Sequence, residues 1–283
     1  MTIGPLRAEL MKLRRSRSTW VLGGLLVVGL VLFTYLLLYL VLQQPSSGQT
    51  NPEVEASRSA LQATLAPSQL ATTVLSDISG LGGPLVLILG AMSMAREYTW
   101  GTVRLLLTQT ASRGTMVIAK LAALAVVLSI LVIASFVAGA FGAWLVATLR
   151  GVSTSFPPAG ELLRAAGIGW LILAAWCSVG VTLGTVLRST GLAIGLGLVY
   201  ALVIESLVRA LARNLSFLET ISRGMLQPNA SALAASVGPP SAARGLGDGL
   251  TPNSPGVAAA VLVAYLLAAV AVSVVTVRIR DVS

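Results

Sequence analysis

Residues 20–42 read WVLGGLLVVGLVLFTYLLLYLVL, a run of 23 residues without one charged side chain. An α-helix needs about 20 mostly apolar residues to cross the roughly 30 Å hydrocarbon core of a bilayer, so this run predicts a membrane-spanning helix. Basic residues precede it, as in a signal peptide, but the run is too long for one and the following QQPSSG lacks an A-x-A cleavage pattern. We therefore expect an uncleaved membrane helix that follows a cytoplasmic N-terminus.

The composition of the whole chain also indicates a membrane protein. The mean hydropathy of the 283 residues is +0.88 and 10% of them are charged, whereas a soluble domain usually has about 25% charged residues. The formal net charge is +9. In a chain this apolar, that excess indicates basic flanks of membrane spans facing anionic lipid rather than contact with nucleic acid.

Further apolar stretches predict five more spans. The second span is the least regular, because Asp77, Pro84 and several glycines interrupt it, and both a kinked helix and a short re-entrant stretch fit that pattern. Together the stretches predict a single all-α polytopic membrane domain over residues 1–283 with six transmembrane helices. Counting 20–42 as the first, the other spans are 70–95, 121–149, 162–187, 191–212 and 256–277.

The basic residues set the orientation of these spans. Cytoplasmic loops carry an excess of lysine and arginine, so the richer side of the chain is expected to face the cytoplasm together with both termini. The residues that this orientation places inside are Arg7, Lys12, Arg14, Arg15, Arg17, Arg96, Arg104, Arg113, Arg188, Arg278 and Arg280.

Two segments outside the spans have helical patterns. Residues 1–19 predict an amphipathic helix in the inner membrane interface, with a plain basic tail as the alternative. Residues 213–255 contain NLSFLETISRGML at 214–226, which is too short to span and which we expect to fold back against the outer leaflet. The apolar positions of the N-terminal helix are Ile3, Leu6, Leu10 and Leu13.

Polar groups inside the predicted spans are candidates for function, because charge is costly in the membrane. Glu205 and Arg209 are four residues apart on the fifth span, which allows either a structural ion pair or a place on a substrate path. Asp77 on the second span has the same two interpretations. Because the chain has no histidine, His-based metal sites and Ser-His or Cys-His catalysis are excluded. The single cysteine, Cys177, is interpreted as a small packing residue.

Small residues recur four apart in three places, a spacing that lets helix backbones approach closely. In a chain with 28 glycines, some such pairs arise by chance. The pairs are Ser135 with Gly139, Gly180 with Gly184, and Gly191 with Gly195.

Residues 95–114, AREYTWGTVRLLLTQTASRG, connect the second and third spans on the predicted cytoplasmic side. A connecting loop needs only a few polar residues to reverse the chain direction, and this stretch has many more. Apolar residues from Val103 to Leu107 predict a short amphipathic helix, with Gly101-Thr102 as a bend and cap before it. A short helix of this kind is suited to the groove of a soluble partner.

The stretch EYTWGTVRLLLTQTASRGTMVIAK at 97–120 resembles the signature of ABC-2-type transporter permeases. The family often has a proline before the Ser-Arg pair, where this chain has Thr110-Ala111. The six-span layout, the basic N-terminal helix and the long segment before the last span also resemble the family. The positions that carry the resemblance are Glu97, Gly101-Thr102, Leu105 to Leu107, Ser112-Arg113 and Lys120.

The resemblance implies a coupling loop at 96–116 that docks on a separate ATP-binding subunit. It also implies two permease chains, identical or different, beside two such ATPases, and a re-entrant outer segment between spans five and six, as in type V exporters. ATP and Mg would be held by the partner, since neither Lys12 nor Lys120 ends a phosphate-binding G-x-x-x-x-G-K-[ST] loop. The implied ATPase contacts are Glu97, Tyr98, Trp100, Gly101, Thr102, Arg104, Leu105, Leu106, Thr108, Gln109 and Arg113.

The expected function is that of the membrane-spanning permease of an ATP-driven exporter in a bacterial inner membrane, moving an amphiphilic or lipid-like cargo outward. Two alternatives remain open at this point. One is a non-transporting subunit of the same family that senses or scaffolds. The other is an intramembrane enzyme built on Asp77 or Glu205, although no paired-aspartate motif surrounds either residue.

Overall fold

The computed structural model describes residues 3–43, 59, 61–99, 113–212, 214–237 and 252–279. Within these ranges the chain is mostly helical, and six helices are long and apolar enough to cross a membrane. This confirms the predicted all-α fold with six candidate spans. In chain order the helices are α1 (Ile3–Arg15), α2 (Arg17–Gln43), α3 (Pro67–Arg96, continuing to Thr99), α4 (Arg113–Arg150), α5 (Ala159–Leu187), α6 (Thr190–Ala212), α7 (Ser216–Arg223), α8 (Leu226–Ala234) and α9 (Pro255–Ile279).

The irregular second span is one long helix that changes its winding. After a 3₁₀ turn at Pro67–Gln69, α3 runs through Asp77, widens into a π-helical segment at Ile78–Gly82 and returns to α-helix at Gly83. Pro84 follows directly and cannot donate a backbone hydrogen bond to the preceding turn, so a widened turn before it accommodates the proline ring. The structure therefore favours an irregular continuous helix over a short re-entrant stretch.

The core is built around the contact between α3 and α5, where glycines bring the two backbones together. A Cβ atom on Gly180 would lie 2.0 Å from the carbonyl oxygen of Leu87, and one on Gly90 would lie 2.2 Å from the carbonyl oxygen of Cys177. A Cβ atom on Gly184 would lie 2.6 Å from the backbone oxygen of Ala91. No other residue type fits at these three positions without moving one of the helices.

The predicted small-residue pairs behave differently from one another. Gly180 and Gly184 both face α3, and Gly139 meets Val74 of the same helix. Gly191 and Gly195 have nothing within 4 Å, so their spacing serves no packing contact inside the described part of this chain. Cys177 is buried in the core, as expected for a packing residue.

Polar side chains add a second contact, between α5 and α9. The Thr182 hydroxyl donates to the carbonyl oxygen of Ala269 at 3.0 Å and lies 3.1 Å from the Ser273 hydroxyl. Hydrogen bonds of this kind help to hold helices together in lipid, where apolar contact alone gives little preference for helix over lipid tails.

The two segments outside the spans are helical where they are described. Helix α1 places Leu13 in the core and packs its half-buried Leu6 and Leu10 against it. Helix α8 buries Leu226 and Ala230 against the rest of the chain. The location of α1 in the membrane interface and the re-entrant course of 213–255 stay predictions.

Replacing Gly180 by alanine tests the α3–α5 contact. The added methyl group would collide with the Leu87 backbone, and overpacking of this kind costs about 1–3 kcal/mol. We expect a clearly lower midpoint of thermal unfolding in detergent. The matched control is Gly195→Ala, which adds the same group into open space and should leave the midpoint unchanged or raise it. Equal midpoints for the two variants would contradict the contact.

Candidate functional site

The predicted coupling loop begins and ends on two long helices. Glu97 and Tyr98 lie in the last turn of α3, and Arg113 is the first residue of α4. The short amphipathic helix predicted after Gly101-Thr102 lies outside the described residues. The other predicted contacts that lie outside them are Trp100, Gly101, Thr102, Arg104, Leu105, Leu106, Thr108 and Gln109.

A buried ion pair joins α1, α3 and α4 near the helix ends that this loop connects. Lys120 of α4 is 3% exposed, and its ammonium group donates to the Glu9 carboxylate at 3.0 Å and to the Ser93 carbonyl oxygen at 2.9 Å. Glu9 is also buried and pairs through its other oxygen with Lys12. One lysine therefore connects three helices at a single point.

A second set of hydrogen bonds fixes the corner between α1 and α2 against α3. The Arg96 guanidinium donates to the Ser16 hydroxyl at 3.1 Å, and Ser16 is the extended residue between α1 and α2. The Trp20 indole N–H donates to the Arg14 carbonyl oxygen at 2.7 Å, which closes the corner. We call Glu9, Ser16, Ser93, Arg96 and Lys120 the loop base.

Electrostatics keep the Glu9 carboxylate ionised. Burial alone would raise the pKa of Glu9, but the charges and hydrogen bonds of Lys120 and Lys12 outweigh it, so the pKa lies below its ordinary value. A buried charge that loses its partner is strongly destabilising. The loop base is therefore stable only when Glu9 and Lys120 are both present and α1 is docked.

The sequence signalled this pair only in part. Lys120 was singled out as a position of the family resemblance, and Glu9 was not identified. The available signal was that Glu9 shares a helix face with Leu6 and Leu13, so an acid stands on the apolar side of an otherwise basic helix. Its partner is 111 residues away in sequence, and no periodicity could have found it.

Glu205 has backbone partners that its spacing from Arg209 did not suggest. It is 1% exposed, and its two carboxylate oxygens accept the backbone N–H groups of Leu226 at 3.1 Å and Gln227 at 2.8 Å. These are the first residues of α8, whose N-terminal N–H groups have no partners within the helix and favour negative charge. Arg209 acts on the same carboxylate electrostatically. Glu205 thus fastens α8 to α6.

Asp77 lies on α3 and faces α2. The Thr34 hydroxyl donates to its carboxylate at 2.8 and 2.9 Å. Each of the two acids that the sequence singled out in the spans therefore has its own partners, on different helices.

A double-mutant cycle tests the loop base. Lys120→Met leaves the Glu9 carboxylate buried beside Lys12 alone, and loss of one partner of a buried pair costs about 3–5 kcal/mol. We expect a large fall in the thermal midpoint for Lys120→Met and a smaller fall for Lys120→Met combined with Glu9→Gln, because the second change removes the stranded charge. Additive effects of the two substitutions would show that the side chains do not interact.

Comparison with known proteins gives one informative result. No curated protein matches the chain. A family model described as "ABC-2 family transporter protein" matches residues 6–281, which include the six candidate spans and the stretch at 97–120. With its six apolar helices the chain is a multi-pass membrane protein. The match confirms the resemblance seen in the sequence: the chain belongs to the ABC-2 family of transporter proteins.

Proposed function

We propose that this chain is the membrane-spanning permease of an ATP-driven exporter in a bacterial inner membrane, with both termini in the cytoplasm. The loop at 96–116 docks on a separate ATP-binding subunit, which holds ATP and Mg. Two such ATPases and a second permease chain, identical or different, complete the transporter. The cargo is an amphiphilic or lipid-like molecule.

The observation that carries this proposal is the loop base. A loop that only connects two spans needs no buried ion pair beneath it. Here Lys120 at the start of α4 is held by Glu9 of α1 and by the Ser93 carbonyl of α3, while Arg96 at the end of α3 is held by Ser16. A displacement of the loop by a partner would therefore reach α1, α3 and α4 together.

The packing of the core favours movement of whole helices in response to that displacement, rather than bending of α3 alone. Helix α3 is in backbone contact with α5 through Gly90, Gly180 and Gly184, so the two helices move as one body. Nucleotide binding can shift the transporter between two states only by its different affinity for them. When the two ATPases close on ATP, they move the docked loop. The two transporter states therefore differ in the position of this loop.

Substitutions in the loop test the proposed contact with the ATPase. Arg104→Glu, or Leu105→Asp with Leu106→Asp, should reduce ATPase co-purification from native membranes by at least about tenfold, equivalent to about 1.4 kcal/mol of binding, and should abolish export of the cargo. Membrane insertion of the variants should be normal, because the loop lies outside the spans.

The matched control is Arg150→Glu, which makes the same charge change at the opposite end of α4. It should leave ATPase co-purification intact. Unchanged export by the Arg104 and Leu105–Leu106 variants would contradict the coupling role. A bound, active ATPase without export of any cargo would instead favour the sensor or scaffold alternative.

A further inference from the structure

Asp77 is a half-buried intramembrane acid, and its surroundings differ from those of the buried acids Glu9 and Glu205. Glu9 faces two lysines, and Glu205 accepts two backbone N–H groups and has Arg209 nearby. In the described part of the chain, Asp77 has the neutral Thr34 hydroxyl as its hydrogen-bond partner and no basic side chain paired with it. A carboxylate within a membrane span is expensive without compensation, and the described residues supply no counter-charge for this one.

The position of Asp77 is also irregular in both helices that meet there. Asp77 immediately precedes the π-helical segment Ile78–Gly82 of α3, and Thr34 lies inside the π-helical segment Leu30–Leu37 of α2. Widened turns of this kind occur frequently at functional sites. Asp77 is ten residues from the start of α3 at Pro67, which places it about 15 Å along that helix at 1.5 Å per residue. It therefore lies about a third of the way along the candidate span Pro67–Arg96.

A cavity of about 290 Å³ opens beside this carboxylate between α2, α3 and the residues that precede α3. Its volume is close to the lower end of ordinary small-molecule sites, which begin at about 300 Å³. The lining is divided between apolar side chains and short polar ones. The apolar part of the wall includes Phe33, Leu38 and Leu61. The polar part of the wall includes Gln69, Ser76 and Asp77.

This lining selects one class of ligand. Hard metal cations need about six or more oxygen ligands, usually with several carboxylates among them, whereas Asp77 is the one carboxylate in this lining. An organic ammonium ion carries its charge among methyl or methylene groups, so it can face the carboxylate while its carbon atoms contact the apolar side. The ring of Phe33 offers a further attraction for a cation that lies over its face.

We propose that the cavity between α2 and α3 binds an organic ammonium ion, with Asp77 as its counter-charge and Phe33 and Leu61 as its apolar wall. Only the further step, that such a cation is part of the transported cargo, rests on the proposed function. The competing interpretation is structural: a neutral hydrogen bond between Thr34 and Asp77 that merely joins α2 to α3.

Two substitutions separate these interpretations. Asp77→Asn keeps the size of the side chain and an oxygen to accept from Thr34, and it removes the charge. Thr34→Val keeps the charge and removes the hydroxyl donor. If Asp77 acts as a counter-charge, Asp77→Asn removes its role. If the Thr34–Asp77 hydrogen bond is only structural, Thr34→Val removes that role.

The probes are benzyltrimethylammonium and neopentylbenzene, which have the same shape and differ by the charge. Binding is measured by equilibrium dialysis on the purified full-length chain in lipid nanodiscs, against nanodiscs without protein. We expect saturable binding of the cation, at least about tenfold weaker in Asp77→Asn, a factor equal to about 1.4 kcal/mol. Thr34→Val keeps the charge and should bind the cation more tightly than Asp77→Asn does, whereas neopentylbenzene should bind equally to the wild-type chain and to Asp77→Asn.

A third variant keeps the test decisive if Asp77→Asn does not fold. Ser76→Lys places a fixed cation on the wall of the same cavity and should abolish binding of benzyltrimethylammonium. The proposal is overturned if the wild-type chain does not bind the cation saturably, if Asp77→Asn or Ser76→Lys binds it like wild type, or if Thr34→Val weakens it as much as Asp77→Asn.

The outcome is independent of the ATPase. The dialysis contains no nucleotide and no partner subunit, so failure of the Arg104 variants to release an ATPase would leave the cation site standing. Conversely, loss of the ATPase in the Arg104 variants together with normal cation binding by Asp77→Asn would support the proposed function and refute the site.

Discussion

The rest of this structure depends on the backbone contact between α3 and α5. Helices in a bilayer gain little from burying apolar side chains against one another, because the lipid tails are equally apolar. Close packing must therefore make helix–helix contact more favourable than helix–lipid contact. Here Gly90, Gly180 and Gly184 allow backbone oxygens of the neighbouring helix to lie where a Cβ atom would otherwise be. Helix α3 carries Asp77 about a third of the way along its length and Arg96 near its C-terminal end. The glycine contact therefore positions both the intramembrane cavity and the loop base.

Junctions between helices hold the buried Glu9, Lys120 and Glu205 and the half-buried Asp77. Lys120 and Glu9 join α4 to α1, Glu205 joins α6 to α8, and Asp77 is joined to α2 by Thr34. Because the backbone groups inside a helix are already hydrogen-bonded, polar contacts between helices are formed by side chains and by the backbone groups at helix ends. Helix α8 illustrates the second case, since its first N–H groups would be costly to bury unpaired. The Glu205 carboxylate satisfies two of them.

The sequence predicted what depends on length, hydropathy and local spacing. Six candidate spans follow from apolar runs that a bilayer of fixed thickness requires, and the polar groups in those spans were recognised because they are costly there. It could not predict partners distant in sequence. Glu205 is four residues from Arg209, but the N–H groups that it binds are 21 and 22 residues away. The pairs Gly180–Gly184 and Gly191–Gly195 have the same spacing, and only the first faces another helix. Which face meets a neighbour is a property of the assembled fold.

The central claim is that an ATP-binding subunit binds this chain at the loop of residues 96–116. Site-specific photocrosslinking in native membranes tests it most directly, with a benzophenone amino acid in place of Trp100 and, as the control, in place of the exposed Leu149 at the far end of α4. The account predicts that mass spectrometry of the Trp100 adduct identifies a nucleotide-binding ATPase and that the Leu149 adduct does not. An ATPase crosslinked at Leu149, or its absence from the Trp100 adduct, would contradict the account.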